Sequence, residues 1–205
     1  MIKSLTIAGL QFLALVSPGI DFALVVRNSL TYSRRVALWT AAGIAFGVIF
    51  HLAYCLFGLS LFTHQQSPIL DALKFMGCLF LVYIGIKSIL ARPISINEIS
   101  VNNQKTSQTL SVKKAFSIGF ITNALNPKAF LFFVGLFSSY LETEYSWYEY
   151  VFYLIEMPLV TFLWFAFVAY VFTNPTLRSK IISIKHWIER VMGVAILYFV
   201  YRLIF

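Results

Sequence analysis

Charged side chains are scarce in this sequence. Only 12% of its 205 residues are Asp, Glu, Lys or Arg, about half the fraction found in a typical soluble domain. The hydrophobic fraction is 60% and the mean hydropathy is +0.81, values that favour a lipid bilayer as the surrounding solvent. The scarcity of charge excludes a separate soluble enzyme domain and predicts a single integral membrane domain over residues 1–205.

Cysteine is also scarce. Cys55 and Cys78 lie in apolar runs, have no metal-ligand spacing and do not indicate a disulfide framework. The sequence also lacks the motifs of intramembrane enzymes: H-E-x-x-H of metalloproteases, G-x-G-D of aspartyl proteases and C-x-x-C of redox carriers. We therefore expect no metal site, no cofactor and no enzyme activity, and keep an intramembrane enzyme only as an alternative.

Six apolar runs approach or exceed the roughly 20 helical residues that cross a hydrocarbon core of ~30 Å. They are Leu5–Val26, Val36–Phe62, Ile69–Ile89, Ala115–Tyr140, Trp147–Phe172 and Ile188–Phe205. The first run is interpreted as a retained span, because "ALVS" before Pro18 is a poor signal-peptide cleavage site. The polar run Asn97–Ser111 is typical of a flexible linker. It lies within a polar cytoplasmic linker, residues 91–113, that connects a first half, residues 1–90, to a second half, residues 114–205.

The net charge of +8 does not indicate nucleic-acid binding, because the basic residues cluster between the apolar runs. Most of them fall after spans one, three and five: Arg27, Arg34, Arg35, Lys87, Arg92, Lys105, Lys113, Lys114, Arg178, Lys180, Lys185 and Arg190. Cytoplasmic loops of membrane proteins carry such an excess of Lys and Arg. The pattern predicts a membrane protein with three cytoplasmic loops and both termini on the outer side, the periplasm in a bacterium.

The two halves resemble each other. Ser17-Pro18 in span one matches Asn126-Pro127 in span four, and "KFMG" at Lys74–Gly77 matches "RVMG" at Arg190–Gly193. Chance similarity between apolar helices is the alternative interpretation. If the repeat is real, three spans in each half place the copies in opposite orientations, as in many secondary transporters. The predicted fold is therefore all-α, with six transmembrane helices in two inverted three-helix repeats.

Two prolines are predicted to break spans one and four. A proline removes one helical hydrogen bond and displaces the carbonyl four residues earlier, so Pro18 frees the carbonyl of Ala14 and Pro127 that of Asn123. Gly19 weakens the first helix further. Unpaired backbone groups are tolerated at membrane depth only where protein or a wet cavity satisfies them. We therefore expect the breaks to face inward, where half-helix ends can bind a polar solute.

Charged residues follow both breaks: Asp21 the first and Lys128 the second. A charge at the bilayer centre costs ~3 kcal/mol, so both side chains are expected inside the bundle. One interpretation is a structural ion pair; the other is a site in which Asp21 binds an ammonium and Lys128 a carboxylate. Asn123 and Asn126 are three residues apart and therefore share one helix face, so both can line the same cavity. The predicted substrate-binding residues are Ser17, Pro18, Gly19, Asp21, Asn123, Asn126, Pro127 and Lys128.

Two further ionisable residues lie at depth. Glu156 in span five must be paired or protonated when buried, which suits a carrier of the coupling proton, with Asp21 the next candidate. His51 in span two is either a third candidate or a core histidine with satisfied hydrogen bonds. Gly43 and Gly47 form a GxxxG motif that permits close helix approach, within one chain or between copies in a homo-oligomer.

Several stretches together resemble the LysE/RhtB family of amino-acid exporters. "SPGIDFALVVRNSLTYSRRVALWTAAGIAFGVIFH", from Ser17 to His51, is similar to the signature of the family's first half, and "GFITNALNPKAFLFF", from Gly119 to Phe133, to its second signature. Ile20 replaces a proline that the family has after P-G, and Tyr201 stands where the family has a glycine.

The resemblance implies an exporter of amino acids or related metabolites, closer in style to threonine and homoserine exporters than to lysine exporters. It implies six helices in the inner membrane and transport driven by the proton gradient, so the expected partners are an amino-acid substrate, protons and lipid. Distant relatives move cations, so a metal-cation exporter is the alternative within transport.

Overall fold

The computed structural model describes residues 2–17, 19–55, 68–91, 110–140 and 147–204. Within these ranges the secondary structure is helical, without β-strands. In chain order the helices are α1 (Ile2–Val16), α2 (Ile20–Thr31), α3 (Arg34–Ala53), α4 (Pro68–Ile89), α5 (Val112–Ala124), α6 (Pro127–Tyr140), α7 (Trp147–Thr173) and α8 (Pro175–Ile204). Pro18 and most of the linker at 91–113 lie outside the described residues.

Among the described residues, two helices, α3 and α7, are long and apolar enough to cross a membrane. Two further spans are possible as bent pairs. Thr6–Val16 and Ile20–Thr31 meet at 56°, and Val112–Ala124 and Pro127–Phe137 meet at 53°. The helices break where the two prolines predicted a break. α4 runs as one helix from Pro68 to Ile89, and the predicted end of span two at Phe62 lies outside the described residues.

The last helix is longer than the sequence predicted. A span was expected from Ile188, but α8 begins at Pro175, so that Arg178 and Lys180 lie on a helix and not in a loop. Asn174 explains the early start, because its Oδ1 accepts from the backbone N–H groups of Thr176 (3.0 Å) and Leu177 (3.3 Å). Proline in the next position is favoured at the first turn of a helix.

Glycines allow two pairs of helices to cross closely. A Cβ atom on Gly43 of α3 would lie against the carbonyl oxygen of Phe116 in α5 and 2.8 Å from the nitrogen of Phe120. Gly85 of α4 and Gly193 of α8 face each other in the same way: a Cβ on Gly193 would lie 2.6 Å from the carbonyl oxygen of Gly85. The GxxxG motif therefore acts within the chain, between α3 and α5.

Two clusters of buried apolar side chains hold the bundle together. One includes Phe133, Phe137 and Met157, and joins α6 to α7. The other includes Ile44 and Phe165, and joins α3 to α7. Side chains from both clusters line the cavity described below, so the cavity lies inside the bundle and not at its lipid-facing surface.

The crossing of α3 and α5 predicts opposite effects for two glycine substitutions. Gly43→Ala places a methyl group against the backbone of α5, and we expect it to destabilise the folded protein by about 1–3 kcal/mol. Gly9→Ala is the matched control, because a Cβ there meets nothing within 4 Å and alanine is the better helix former by up to ~1 kcal/mol. Thermal unfolding in detergent measures both variants. An unchanged midpoint in Gly43→Ala would contradict the close crossing.

Candidate functional site

The two helix breaks meet inside the bundle. Gly19, at the first break, has an extended backbone with φ −143° and ψ −168° and caps α2 without a side-chain hydrogen bond. A Cβ on Gly19 would lie 3.1 Å from Cδ of Lys128 at the second break. The glycine therefore leaves room for the aliphatic part of Lys128 to pass between the breaks.

Asp21 joins the first break to the second through one carboxylate oxygen. Oδ2 accepts from Nδ2 of Asn123 at 2.9 Å and from Nδ2 of Asn126 at 2.8 Å. The Asp21 side chain is 8% exposed, and the two asparagines are 3% and 2% exposed. Asn126 also caps α6, because its Oδ1 accepts from the backbone N–H of Lys128 at 2.9 Å. The two asparagines therefore fix the position of a buried carboxylate.

Lys128 joins the second break back to the first. Its Nζ donates to the carbonyl oxygen of Ala14 at 3.0 Å and to that of Ser17. The carbonyl of Ala14 is the group that Pro18 was predicted to free. The hydrogen bonds of Asp21 and Lys128 go to other groups and not to each other. The ammonium instead lies at the carbonyl end of α1, where the helix dipole favours a positive charge.

His51 contacts the carbonyl that Pro127 was predicted to free, that of Asn123, which also accepts from the backbone N–H of Asn126 at 2.9 Å. Its Nε2 lies 2.9 Å from the carbonyl oxygen of Asn123. Since a carbonyl can only accept, Nε2 is the donor, and a neutral ring then accepts through Nδ1 from the hydroxyl of Tyr54 at 2.8 Å. The ring is fully buried and stacks on Phe133 at a centroid distance of 5.3 Å. These contacts hold Asn123 in place.

A cavity of about 50 Å³ lies between the breaks. Its polar lining contains five of the residues predicted from the sequence: Ser17, Asp21, Asn123, Asn126 and Lys128. Gly19 also lines it, together with apolar side chains that include Phe132, Phe133 and Phe165. This volume holds a few water molecules; for comparison, a cavity of about 150 Å³ binds benzene.

Three polar residues at the site were missed by the sequence reasoning. Gln11 and Thr161 line the cavity, and Nε2 of Gln11 donates to the carbonyl oxygen of Met157 at 2.6 Å and to Oγ1 of Thr161 at 3.2 Å. The Ser88 hydroxyl lies 3.2 Å from that of Ser17. A buried glutamine in an apolar span is a signal that could have been used, because an intramembrane amide needs a hydrogen-bond partner.

A larger groove of about 920 Å³ adjoins the cavity. The cavity and the groove share Ser17, Gly19, Asn126 and Lys128, which therefore form the boundary between them. The predicted site residue Pro127 lines the groove and not the cavity. Further charged and polar residues of the groove come from α4 and α8: Lys87, Ser88 and Glu189.

Glu156, the predicted proton carrier, is not among the residues that line the cavity or the groove. It lies on α7, which continues as a helix through Pro158. The side chain is partly buried, and within the described structure its Oε2 is buried without a hydrogen-bond partner. No group of three or more His, Cys, Asp or Glu residues in the described ranges is arranged to hold a metal ion.

Comparison with known proteins relates the chain to membrane transporters. The family model described as LysE type translocator matches residues 12–205. The threonine efflux protein of Escherichia coli (strain K12) is 28% identical over 193 residues, which cover 92% of this chain and 91% of the relative.

Two further relatives carry no named substrate. The uncharacterized membrane protein YahN of Escherichia coli (strain K12) is 29% identical, covering 96% of this chain and 86% of the relative. The uncharacterized membrane protein YrhP of Bacillus subtilis (strain 168) is 24% identical, covering 90% of each. No solved structure gives a significant match. Because the family model covers nearly the whole chain, the protein belongs to the LysE type translocator family of membrane transporters.

Proposed function

We propose that this protein exports a small amino acid of the threonine or homoserine type across the inner membrane, in exchange for protons. The observation that carries the proposal is the buried carboxylate of Asp21, which two asparagines from the opposite helix break hold at the wall of the cavity. A fixed negative charge at that place suits the ammonium group of an amino acid. Threonine efflux proteins among the relatives support the choice of substrate.

The cavity must enlarge to bind such a substrate, because about 50 Å³ is less than the ~150 Å³ that accommodates benzene. We propose that the cavity enlarges at its boundary with the groove. Lys128 and Ser17 lie on that boundary, and the contact of Ser17 with Ser88 joins it to α4. In the proposed cycle the substrate carboxylate draws the Lys128 ammonium away from the carbonyls of α1, and the cavity opens into the groove.

We further propose the six-span inverted repeat and periplasmic termini. Both proline breaks bend their helices by similar angles, 56° and 53°, and elements that correspond in the two halves pack against each other, α3 on α7 and α4 on α8. The groove then lies at the cytoplasmic end of α4, where an exported substrate enters.

An impermeant thiol reagent tests this topology in intact cells. A Ser107→Cys variant should stay unlabelled until the cells are opened, and labelling beforehand would contradict it.

Asp21→Asn tests the proposed function. The side-chain oxygen of Asn can still accept from Asn123 and Asn126, so we expect a folded protein within about 1 kcal/mol of the parent stability. Loss of the charge should reduce threonine efflux at least tenfold. The measurement is efflux from dipeptide-loaded cells that lack their own exporters, with melting in detergent as the check on folding.

Glu149→Gln is the matched control for that experiment. It makes the same chemical change near the start of α7, outside the residues that line the cavity and the groove, and should export at the parent rate. Full efflux by Asp21→Asn would reduce Asp21 to a structural role. Efflux of manganese or cadmium in place of amino acids would support the metal-cation alternative.

We propose Glu156 as the carrier of the coupling proton, with Asp21 and then His51 as the next candidates. Glu156→Gln keeps the shape of the side chain but cannot titrate. In vesicles we expect this variant to lose uphill export driven by a pH gradient and to retain exchange of internal for external threonine. The Glu149→Gln variant should keep both activities. Unchanged pH-driven export in Glu156→Gln would move the proton site elsewhere.

A further inference from the structure

Three residues that line the cavity each have a buried side-chain oxygen atom without a hydrogen-bond donor within the described structure. These atoms are Oε1 of Gln11, Oδ1 of Asp21 and Oδ1 of Asn123. All three residues line the same cavity, and their side chains are 2%, 8% and 3% exposed. Buried polar atoms in folded proteins nearly always have a partner, from the protein, from water or from a ligand, so three such atoms on residues of one cavity suit a ligand that donates hydrogen bonds in place of water.

Which end of the Gln11 and Asn123 amides is oxygen follows from the group that the nitrogen end contacts. Nε2 of Gln11 is directed to the carbonyl oxygen of Met157, a group that only accepts, so the other end of this amide is oxygen. Nδ2 of Asn123 is directed to the carboxylate of Asp21, which fixes the second amide in the same manner. The unpartnered atoms are therefore acceptors. Two are neutral amide oxygens, and the third belongs to the negatively charged carboxylate of Asp21.

We propose that Gln11, Asp21 and Asn123 form a site for a primary ammonium group, and that Gln11 makes the site selective for primary over N-alkylated amines. This inference rests on the proposed function. A primary ammonium carries three N–H donors and one positive charge, which match the three acceptors and the single carboxylate. A carboxylate, which carries no N–H or O–H donor, could satisfy none of the three oxygens.

The same donor count orients the substrate. At the cavity the cationic side chain is that of Lys128, on the boundary with the groove. Lys87 lines the groove beyond it. The ammonium end of the substrate therefore binds in the cavity between Gln11 and Asp21, and the carboxylate end points towards the groove.

Binding to the purified full-length protein in lipid nanodiscs tests the site, with L-threonine and N-methyl-L-threonine as probes. In the parent protein the methylated amine lacks one donor and leaves one acceptor unpaired, so we expect it to bind at least tenfold more weakly. Gln11→Met keeps the length of the side chain but removes Oε1. This variant should bind L-threonine about tenfold more weakly and prefer it over the methylated probe by less than about threefold.

Two further variants separate direct contact from packing. Gln11→Leu serves if Gln11→Met does not fold. Thr161→Val removes a partner of Gln11 Nε2 but leaves Oε1 in place, so the preference for L-threonine should persist. An equal loss of preference in Thr161→Val would show that Gln11 acts through α7 and would overturn the direct role.

The remaining outcomes distinguish this site from the proposed function. Export of threonine with no preference between the probes would overturn the ammonium site and leave the exporter. Neither binding nor efflux of any amino acid in a panel would overturn both. A sodium ion also binds oxygen ligands, so the melting temperature is measured in sodium and in choline chloride. Stabilisation by sodium that disappears in Gln11→Met would assign the three oxygens to a metal cation and overturn the ammonium.

Discussion

The structure depends on one constraint: a backbone carbonyl at membrane depth needs a donor from the protein or from water. Each break creates such carbonyls, and at each break one of them receives a hydrogen bond from the other half of the chain. Lys128 of the second half donates to Ala14, and His51 of the first half lies within hydrogen-bond distance of the Asn123 carbonyl. A helix break that is costly alone becomes a connection between halves, and the breaks hold each other in register.

This mutual arrangement requires the helices to approach closely. His51 can reach the second break because α3 crosses α5 at glycines, and a Cβ on Gly47 would lie 2.5 Å from Oδ1 of Asn123. The GxxxG motif therefore serves the site as well as the packing. It brings the backbones of α3 and α5 together, so that the ring of His51 on α3 can donate to the carbonyl of Asn123 on α5.

The sequence predicted the position of the breaks and most of the site, because proline and buried charge have large, local costs. It did not predict how the charged groups are paired. Opposite charges suggest an ion pair, yet carbonyls at a helix end compete for an ammonium, and only the three-dimensional arrangement decides between them. Gln11 was missed because an uncharged amide is neither a helix breaker nor a charge, although at membrane depth it too needs a hydrogen-bond partner.

The distribution of donors and acceptors explains how one network can hold the empty protein together and still leave a place for a ligand. Each of these donor groups at the breaks already binds within the protein: the Lys128 ammonium donates to two carbonyls at the end of α1, and the Asn126 amide donates to Asp21. Acceptors without a donor remain on residues of the cavity, among them Oδ1 of Asp21. A cation can therefore bind without breaking these contacts, whereas an anion competes with the carbonyls at the end of α1 for the Lys128 ammonium. For a zwitterion this predicts an order of events, in which the ammonium binds first and the carboxylate then releases Lys128 from the first break.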